Sequence, residues 1–180
     1  MRHLLCALVL ISLVGCTTST NTAPLPTNLP TFVADNATLA DHAATAVTDQ
    51  IAPDFTWRYA DGRTEHLSDL HGQRVVVNFW ATWCEPCRSE MPDLNSINGT
   101  HNTRVIGINK GQKIDVIPAF ATELGVNFTL ISDPDGDVTL AYGARNLPTS
   151  VFIDPTGRIT AIHVGILSAD ALALQLERMP

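Results

Sequence analysis

The segment NFWATWCEPCRSEMP, residues 78–92, joins an apolar run to a polar, helix-like run through two cysteines. The run Val75 to Trp80 is apolar apart from Asn78, which predicts a buried strand. The following stretch, Arg88 to Asn98, has the composition and spacing of a helix. Cys84 then lies where that helix begins, and the helix dipole and free N–H groups there favour a thiolate.

The spacing of Cys84 and Cys87 is that of a redox-active dithiol. Cys87 is expected one turn further into the helix, close enough to bond to Cys84 and better shielded from solvent. The more exposed Cys84 thiolate would attack a substrate disulfide, and Cys87 would then resolve the mixed disulfide. We therefore predict no cofactor other than the Cys84–Cys87 disulfide itself.

Three other uses of a Cys-x-x-Cys pair fit this sequence poorly. A c-type haem attachment needs His directly after the second cysteine, and Arg88 stands there. A zinc site needs two further ligands, and the sequence has neither a second Cys-x-x-Cys nor a paired His, so no metal is predicted. A purely structural disulfide that closes so short a loop would constrain the unfolded chain little.

Composition excludes several classes of protein. The chain has 180 residues, of which 45% are hydrophobic and 16% charged, enough apolar material for a packed core. Its net charge is −7 and its basic residues are scattered, which argues against a nucleic-acid partner. The remaining cysteines, Cys6 and Cys16, both lie near the N-terminus, which does not suit a disulfide framework.

The N-terminal residues have the features of a secretory signal. Leu4 to Val14 is apolar, shorter than the roughly 20 residues that span a bilayer but typical of a signal peptide. It ends in Leu-Val-Gly-Cys at residues 13–16, which resembles the lipobox of bacterial lipoproteins. The resemblance implies a signal peptide at residues 1–15, a lipidated Cys16, and a protein that is lipid-anchored to a membrane of the bacterial envelope and faces the periplasm or extracytoplasmic space. The alternatives are an ordinary signal peptide and a membrane-buried N-terminus in which the cysteine is incidental.

Residues 16–50 are predicted to be a tether. Residues 17–31 are rich in Thr, Ser, Asn and Pro and cannot bury a core. Asp35 to Gln50 is rich in Ala, and we expect at most a turn or two of helix there. The predicted domain order is therefore signal peptide 1–15, lipidated tether 16–50 and a globular domain at 51–180.

Strand-like and helix-like segments alternate along the globular domain. Asp61-Gly62 between Phe55–Tyr59 and Thr64–His66 predicts a β-hairpin. The alternation predicts an α/β fold whose central sheet is covered by helices on both faces, and a closing hairpin makes that sheet mixed. The other predicted strands are Arg104–Asn109, Phe128–Ile131, Ser150–Ile153 and Ile159–Val164, and the other predicted helices are Ile114–Leu124, Val138–Tyr142 and Ala169–Arg178.

The segment FWATWCEPCRSEMP resembles the active-site segment of the thioredoxin superfamily, and more narrowly of its TlpA/ResA-like, membrane-tethered thiol–disulfide oxidoreductases. The likeness runs over nearly all of residues 51–180 and includes LPTSVFID at residues 147–154. It implies a thioredoxin fold with an N-terminal β-hairpin and an inserted strand–helix element. It also implies an enzyme that reduces protein disulfides, often in cytochrome c maturation.

The resemblance also implies partners. The substrates would be protein thiols and disulfides, apocytochrome c among them, and a membrane thiol transporter would supply electrons. We expect no nucleic-acid partner, and we expect a monomer.

Residues near the cysteines acquire expected roles from the same resemblance. Pro148 matches the family's cis-proline, which faces the disulfide, and Leu147 would supply backbone that touches the substrate. The predicted substrate-contacting residues beside the cysteines are Trp83, Glu85 and Pro86.

Proton transfer is assigned to Glu90. Thioredoxins carry a buried Asp beneath the disulfide, and this chain has Asn78 at the matching place, which cannot titrate. Glu90 lies three residues after Cys87 on the same helical face and matches a Glu that acts at the active site of ResA-like proteins. The carboxylates of Glu85 and Glu90 should keep the pKa of Cys84 high, which favours a reductant over an oxidant.

Two other functions share the fold. A peroxiredoxin-like thiol peroxidase carries Thr three residues before its cysteine, whereas Thr82 is only two before Cys84. A copper-site assembly chaperone uses Cys-x-x-x-Cys with a distant His, and the spacing here is one residue short, which leaves His163 unconvincing as a ligand.

Overall fold

The computed structural model describes residues 32–41 and 45–179. The predicted signal peptide at residues 1–15, Cys16 and most of the predicted tether therefore lie outside the described residues. Among the described residues, no helix combines the length and apolar character needed to cross a membrane.

A single sheet of eight strands organises the described residues, in the order β3-β2-β1-β6-β5-β4-β7-β8. The strands are β1 Val33–Leu39, β2 Phe55–Tyr59, β3 Thr64–His66, β4 Arg74–Trp80, β5 Thr103–Lys110, β6 Thr129–Asp133, β7 Thr149–Ile153 and β8 Ile159–Val164. The α-helices are α1 Glu85–Ile97, α2 Ile117–Leu124, α3 Asp137–Ala141 and α4 Ala169–Glu177, with short 3-10 turns at Leu67–Leu70 and Ile114–Val116.

The sheet is mixed, as predicted. Its central strand β4 runs parallel to β5 and antiparallel to β7. In this register Asn78 lies opposite Gly107 on one side and Ser150 on the other. The carboxyl ends of β4 and β5 coincide, since Trp80 is paired with Asn109. Loops that follow these two strands therefore meet at one edge of the sheet.

Both faces of the sheet are covered, which confirms the predicted layers. Alternate residues of β4 point to opposite faces, with Val75, Val77 and Phe79 on one and Val76 and Trp80 on the other. The second face packs against buried side chains of α1, α2 and α4: Cys87, Met91, Leu94, Ile117, Phe120, Leu172 and Leu176. The first face is covered by the 3-10 turn and α3 region: Leu67, Leu70, Val138, Ala141 and Tyr142.

Strand β1 corrects the prediction for the Ala-rich stretch. Residues 35–39 are strand rather than helix, and β1 lies between β2 and β6 in the sheet. Val33 and Ala34 are fully buried there. The pairing with β2 shifts register between Asp35 and Thr38, and Asn36 has a positive φ of 49°. This bulge interrupts the alternation of apolar and polar residues that would have identified a strand. The sheet thus begins before the predicted domain start at residue 51.

Candidate active site

Cys84 lies at the N-terminus of α1. The chain leaves β4 at Trp80, and α1 starts at Glu85 with Cys84 as its N-cap residue, in an extended conformation with φ −85° and ψ 98°. Pro86 occupies the first turn of α1, where its fixed φ is favourable and no backbone N–H is needed. The Cys84 Sγ accepts a hydrogen bond of 3.3 Å from the Cys87 N–H, so a donor is already aimed at this sulfur.

The two cysteines form a disulfide, with an S–S distance of 2.04 Å and Cα atoms 5.3 Å apart. Cys87 is fully buried, whereas Cys84 is 4% exposed. Cys84 is thus the more accessible of the two sulfur-bearing residues, although only a small part of it reaches solvent.

The Leu147–Pro148 peptide bond is cis, the geometry that the family resemblance implied. Pro148 comes directly before β7, whose first residue Thr149 is paired with Phe79 near the end of β4. This register places the cis-proline loop beside the loop that leads from β4 to Cys84. The Pro148 carbonyl accepts a hydrogen bond from the Gly165 N–H, and half-buried Leu147 packs against the apolar side chains on both faces of the sheet.

Glu90 is a fully buried carboxyl group on the face of α1 that carries Cys87. Its Oε1 accepts a hydrogen bond of 2.7 Å from Asn78 Nδ2, and its Oε2 accepts one of 3.0 Å from the Leu167 N–H. Burial raises the pKa of Glu90 to about 7, although the two hydrogen bonds that the carboxylate accepts act in the opposite direction. A carboxyl with this pKa can take up and release a proton near neutral pH.

The predicted substrate-contacting residues differ in exposure. Trp83 is 71% exposed directly before Cys84, and Glu85 and Pro86 are also exposed. Glu85 lies 3.8 Å from Arg88, whose guanidinium also pairs with Glu123. An exposed aromatic side chain beside the disulfide can contact an incoming polypeptide.

Trp80 is buried instead of exposed. Its ring stacks on Phe120 of α2 with centroids 4.2 Å apart, so Trp80 supports the base of the site. The structure does not bring His163 to the cysteines as a partner: His163 lies on β8, and its Nε2 is 3.3 Å from the Ile166 carbonyl.

Sequence reasoning missed two polar side chains at the end of β5. Gln112 hydrogen-bonds to Thr82 in the loop before Cys84, and Lys110 hydrogen-bonds to the carbonyls of Ala144 and Arg145 before the cis-proline. The available signal was their position, since polar residues after neighbouring parallel strands meet at the same edge of a sheet.

Comparisons with known proteins agree with this geometry. The AhpC/TSA family model matches residues 48–162. The chain is 33% identical to the thiol-disulfide oxidoreductase ResA of Geobacillus thermodenitrificans over 129 residues, which are 70% of this chain and 74% of that protein. The ResA of Bacillus subtilis is 34% identical over 120 residues, 65% of this chain and 67% of that protein.

Solved structures show the same fold. A structure from Chlorobium tepidum described as a thiol:disulfide interchange protein DsbE is 33% identical, with a TM-score of 0.67 over 74% of this chain and 97% of that one. StoA from Bacillus subtilis, at 22% identity and a TM-score of 0.59, covers 70% of this chain and 98% of its own and is similar in fold.

Proposed function

Because the chain belongs to the AhpC/TSA family, and its relatives include thiol–disulfide oxidoreductases named ResA, we propose that it reduces protein disulfides with Cys84 as the attacking sulfur. The observation that carries this assignment is the position of Cys84 Sγ at the N-terminus of α1, where it accepts the Cys87 N–H. The helix dipole and this donor both stabilise a thiolate on Cys84 over one on Cys87.

The reaction has two exchange steps. In the reduced protein, the Cys84 thiolate attacks one sulfur of the substrate disulfide, which forms a mixed disulfide and releases the other substrate sulfur as a thiolate. Cys87 then loses its proton and attacks Cys84 Sγ, which forms the Cys84–Cys87 disulfide and releases the second substrate sulfur. Two electrons pass to the substrate, and a dithiol donor must return two electrons to the protein before the next cycle.

Glu90 is the proposed acceptor of the Cys87 proton. It lies one helical turn after Cys87 on the same buried face, and the pKa of about 7 lets it act as a base near neutral pH. Asn78 cannot titrate itself but holds the Glu90 carboxyl through a 2.7 Å hydrogen bond. No cofactor is needed for these steps beyond the cysteine pair.

The substrate side of the site supports a polypeptide ligand. Exposed Trp83 directly precedes Cys84, and the cis-Pro148 loop with Leu147 lies beside the loop that leads from β4 to Cys84. We propose that a substrate segment binds between them, in contact also with Glu85 and Pro86. An apocytochrome c disulfide is one substrate that fits this description, and a membrane thiol transporter is the proposed electron donor.

We further propose an extracytoplasmic location. The support is the apolar run that ends in Leu-Val-Gly-Cys at residues 13–16, which would leave Cys16 lipidated and the domain outside the cytoplasm. A disulfide such as Cys84–Cys87 also persists more readily in that compartment.

Capture of substrates tests the proposed reaction. Cys87→Ala retains the attacking sulfur but cannot resolve the mixed disulfide. It should therefore accumulate disulfide-linked complexes with its substrates through Cys84, which a reductant separates, while the matched Cys84→Ala variant should not. The parent should reduce insulin in the presence of dithiothreitol. Consumption of hydrogen peroxide without insulin reduction would favour the peroxidase alternative, and copper binding without insulin reduction would favour the chaperone.

A further inference from the structure

The segment that ends β5, residues 109–112, contacts both loops that border the disulfide. From it, Gln112 reaches the loop before Cys84, and Lys110 reaches the loop before cis-Pro148. We propose that Gln112 and Lys110 are positioning residues, which hold these two loops at the separation that a substrate disulfide needs. The inference rests on Cys84 as the attacking sulfur.

The Gln112 side chain forms two hydrogen bonds with Thr82. The Thr82 N–H donates to Gln112 Oε1, and Gln112 Nε2 donates to Thr82 Oγ1, both at 2.8 Å. Thr82 is two residues before Cys84, and the Cys84 N–H donates to the Ala81 carbonyl within the same turn. A side chain that fixes Thr82 by both its backbone and its hydroxyl therefore fixes the path of the chain into Cys84.

Gln112 is itself held in place from the sheet. Its side-chain Oε1 also accepts a hydrogen bond of 3.0 Å from Asn109 Nδ2, and its backbone carbonyl accepts one of 3.1 Å from Ser132 Oγ of β6. Asn109 and Ser132 are both fully buried. The Thr82 loop is thus tied to two strands of the core instead of to a mobile surface side chain.

Lys110 plays the corresponding part for the second loop. Its ammonium donates to the carbonyls of Ala144 at 3.0 Å and Arg145 at 2.9 Å, which are three and two residues before Leu147. Thr149 Oγ1 donates to the Asn146 carbonyl at 2.7 Å, which closes the rest of the loop. Hydrogen bonds from a charged donor are stronger than neutral ones, so Lys110 is well suited to hold these carbonyls.

The two contacts have different expected consequences. Gln112 acts on the loop that carries the reacting sulfur, so its loss should alter the intrinsic reactivity of Cys84 as well as turnover. Lys110 acts on a loop that carries no cysteine, so its loss should weaken productive binding of a protein disulfide while the reactivity of Cys84 toward a small reagent stays the same. If the two residues had a purely structural role, their loss would lower thermal stability without this difference between Cys84 reactivity and substrate binding.

The experiment measures three quantities for each variant: kcat and KM for insulin reduction, the rate of Cys84 alkylation by iodoacetamide, and Tm. Gln112→Met, similar in size but unable to form these hydrogen bonds, should lower kcat/KM about tenfold and change the alkylation rate at least threefold. Gln112→Glu keeps an acceptor for the Thr82 N–H and should restore most of kcat/KM, whereas its added negative charge opposes the Cys84 thiolate and should keep the alkylation rate below that of the parent.

Lys110→Met should raise the KM for insulin at least fivefold with an alkylation rate within twofold of the parent, and Lys110→Arg should restore the KM. Lys113→Met is the matched control. Within the described part of the chain the exposed Lys113 side chain makes no hydrogen bond or ion pair, and its backbone carbonyl, which accepts the Val116 N–H, is kept in the variant, so all three quantities should stay at parental values.

Outcomes that overturn the inference are equally specific. The inference is overturned if folded Gln112→Met and Lys110→Met both have the kcat/KM and the alkylation rate of the parent. It is also overturned if Lys113→Met loses as much activity as these two variants. If Gln112→Met does not fold, Thr82→Val removes only the hydroxyl partner, and an unchanged alkylation rate in that variant overturns the assignment of Gln112. Absence of insulin reduction by the parent would instead contradict the proposed function.

Discussion

Asn78 Nδ2 lies 2.7 Å from Glu90 Oε1, and neither residue is exposed to solvent. The same amide group donates to Ser150 Oγ at 3.0 Å, and Asn78 Oδ1 has no hydrogen-bond partner among residues 32–41 and 45–179. If the amide rotated by half a turn, Oδ1 would accept a hydrogen bond from a protonated Glu90. Asn78 can therefore serve Glu90 in both protonation states without carrying a proton itself.

Replacement of Asn78 by Leu should raise the pKa of Glu90 above its value of about 7, because the donor to the carboxylate is lost while the site stays buried. A carbon-13 NMR titration of the glutamate carboxyl groups measures this shift, with Glu90→Gln used to assign the signal. A midpoint equal to or below that of the parent would show that Asn78 does not stabilise the charged form.

Glu90 should also make the stability of the oxidised protein depend on pH. Its folded pKa of about 7 exceeds the unfolded value of 4.5, so between these values the folded state keeps a proton that the unfolded state releases. The free energy of unfolding should therefore fall as pH rises from about 4.5 to 7, by about 3 kcal/mol from this group alone.

Denaturant unfolding of the parent and Glu90→Gln at pH 4 and pH 8 isolates that contribution. The other titrating groups are common to both proteins. The difference in the free energy of unfolding between parent and variant should therefore shift in favour of Glu90→Gln at the higher pH. A difference independent of pH would mean that Glu90 has an ordinary pKa in the folded state.

Cys84 should react before Cys87 in the reduced protein. It is the residue with measurable exposure, and its sulfur has both the Cys87 N–H and the helix N-terminus to stabilise a thiolate. Iodoacetamide under limiting conditions, followed by peptide mass spectrometry, should find at least tenfold more label on Cys84. Cys84→Ser provides the background rate of Cys87, and preferential label on Cys87 in the parent would reverse the proposed order of attack.

Cys16→Ser should abolish lipid attachment. The sequence Leu-Val-Gly-Cys at residues 13–16 predicts cleavage before Cys16 and acylation of its sulfur. The variant should remain uncleaved or become soluble, with insulin reduction by the domain unchanged. Membrane fractionation with metabolic labelling by a fatty acid measures this, and a variant processed and held at the membrane like the parent would contradict the assignment.

Local patterns predicted the elements whose signals lie close together in the chain. The hairpin strands Phe55–Tyr59 and Thr64–His66 have the predicted bounds, because Asp61-Gly62 fixes both ends. Helix α1 begins at Glu85, three residues before the predicted start, since Pro86 fits the first turn. Glu90 could be predicted because it lies one helical turn after Cys87.

Features that depend on distant parts of the chain were less accessible. The bulge at Asn36 concealed β1, whose place between β2 and β6 is set by tertiary pairing. The contacts of Gln112 with Thr82 and of Lys110 with Ala144 join residues 30 and 34 positions apart. The parallel register of β4 and β5 brings the first pair together, and the second pair depends on where the chain passes after α3. The pKa of Glu90 likewise follows from burial, which spacing alone does not give.

The reduction potential of the Cys84–Cys87 pair is the most direct test of the proposal that this protein is a reductant. The exposed Glu85 carboxylate and the ionised fraction of Glu90 oppose a thiolate on Cys84, which makes the reduced form less stable. Equilibration with dithiothreitol or glutathione redox buffers at pH 7, followed by thiol alkylation and mass spectrometry, measures the potential. We predict a value nearer thioredoxin's, about −270 mV, than that of the periplasmic oxidant DsbA, about −120 mV. A value close to −120 mV would contradict it.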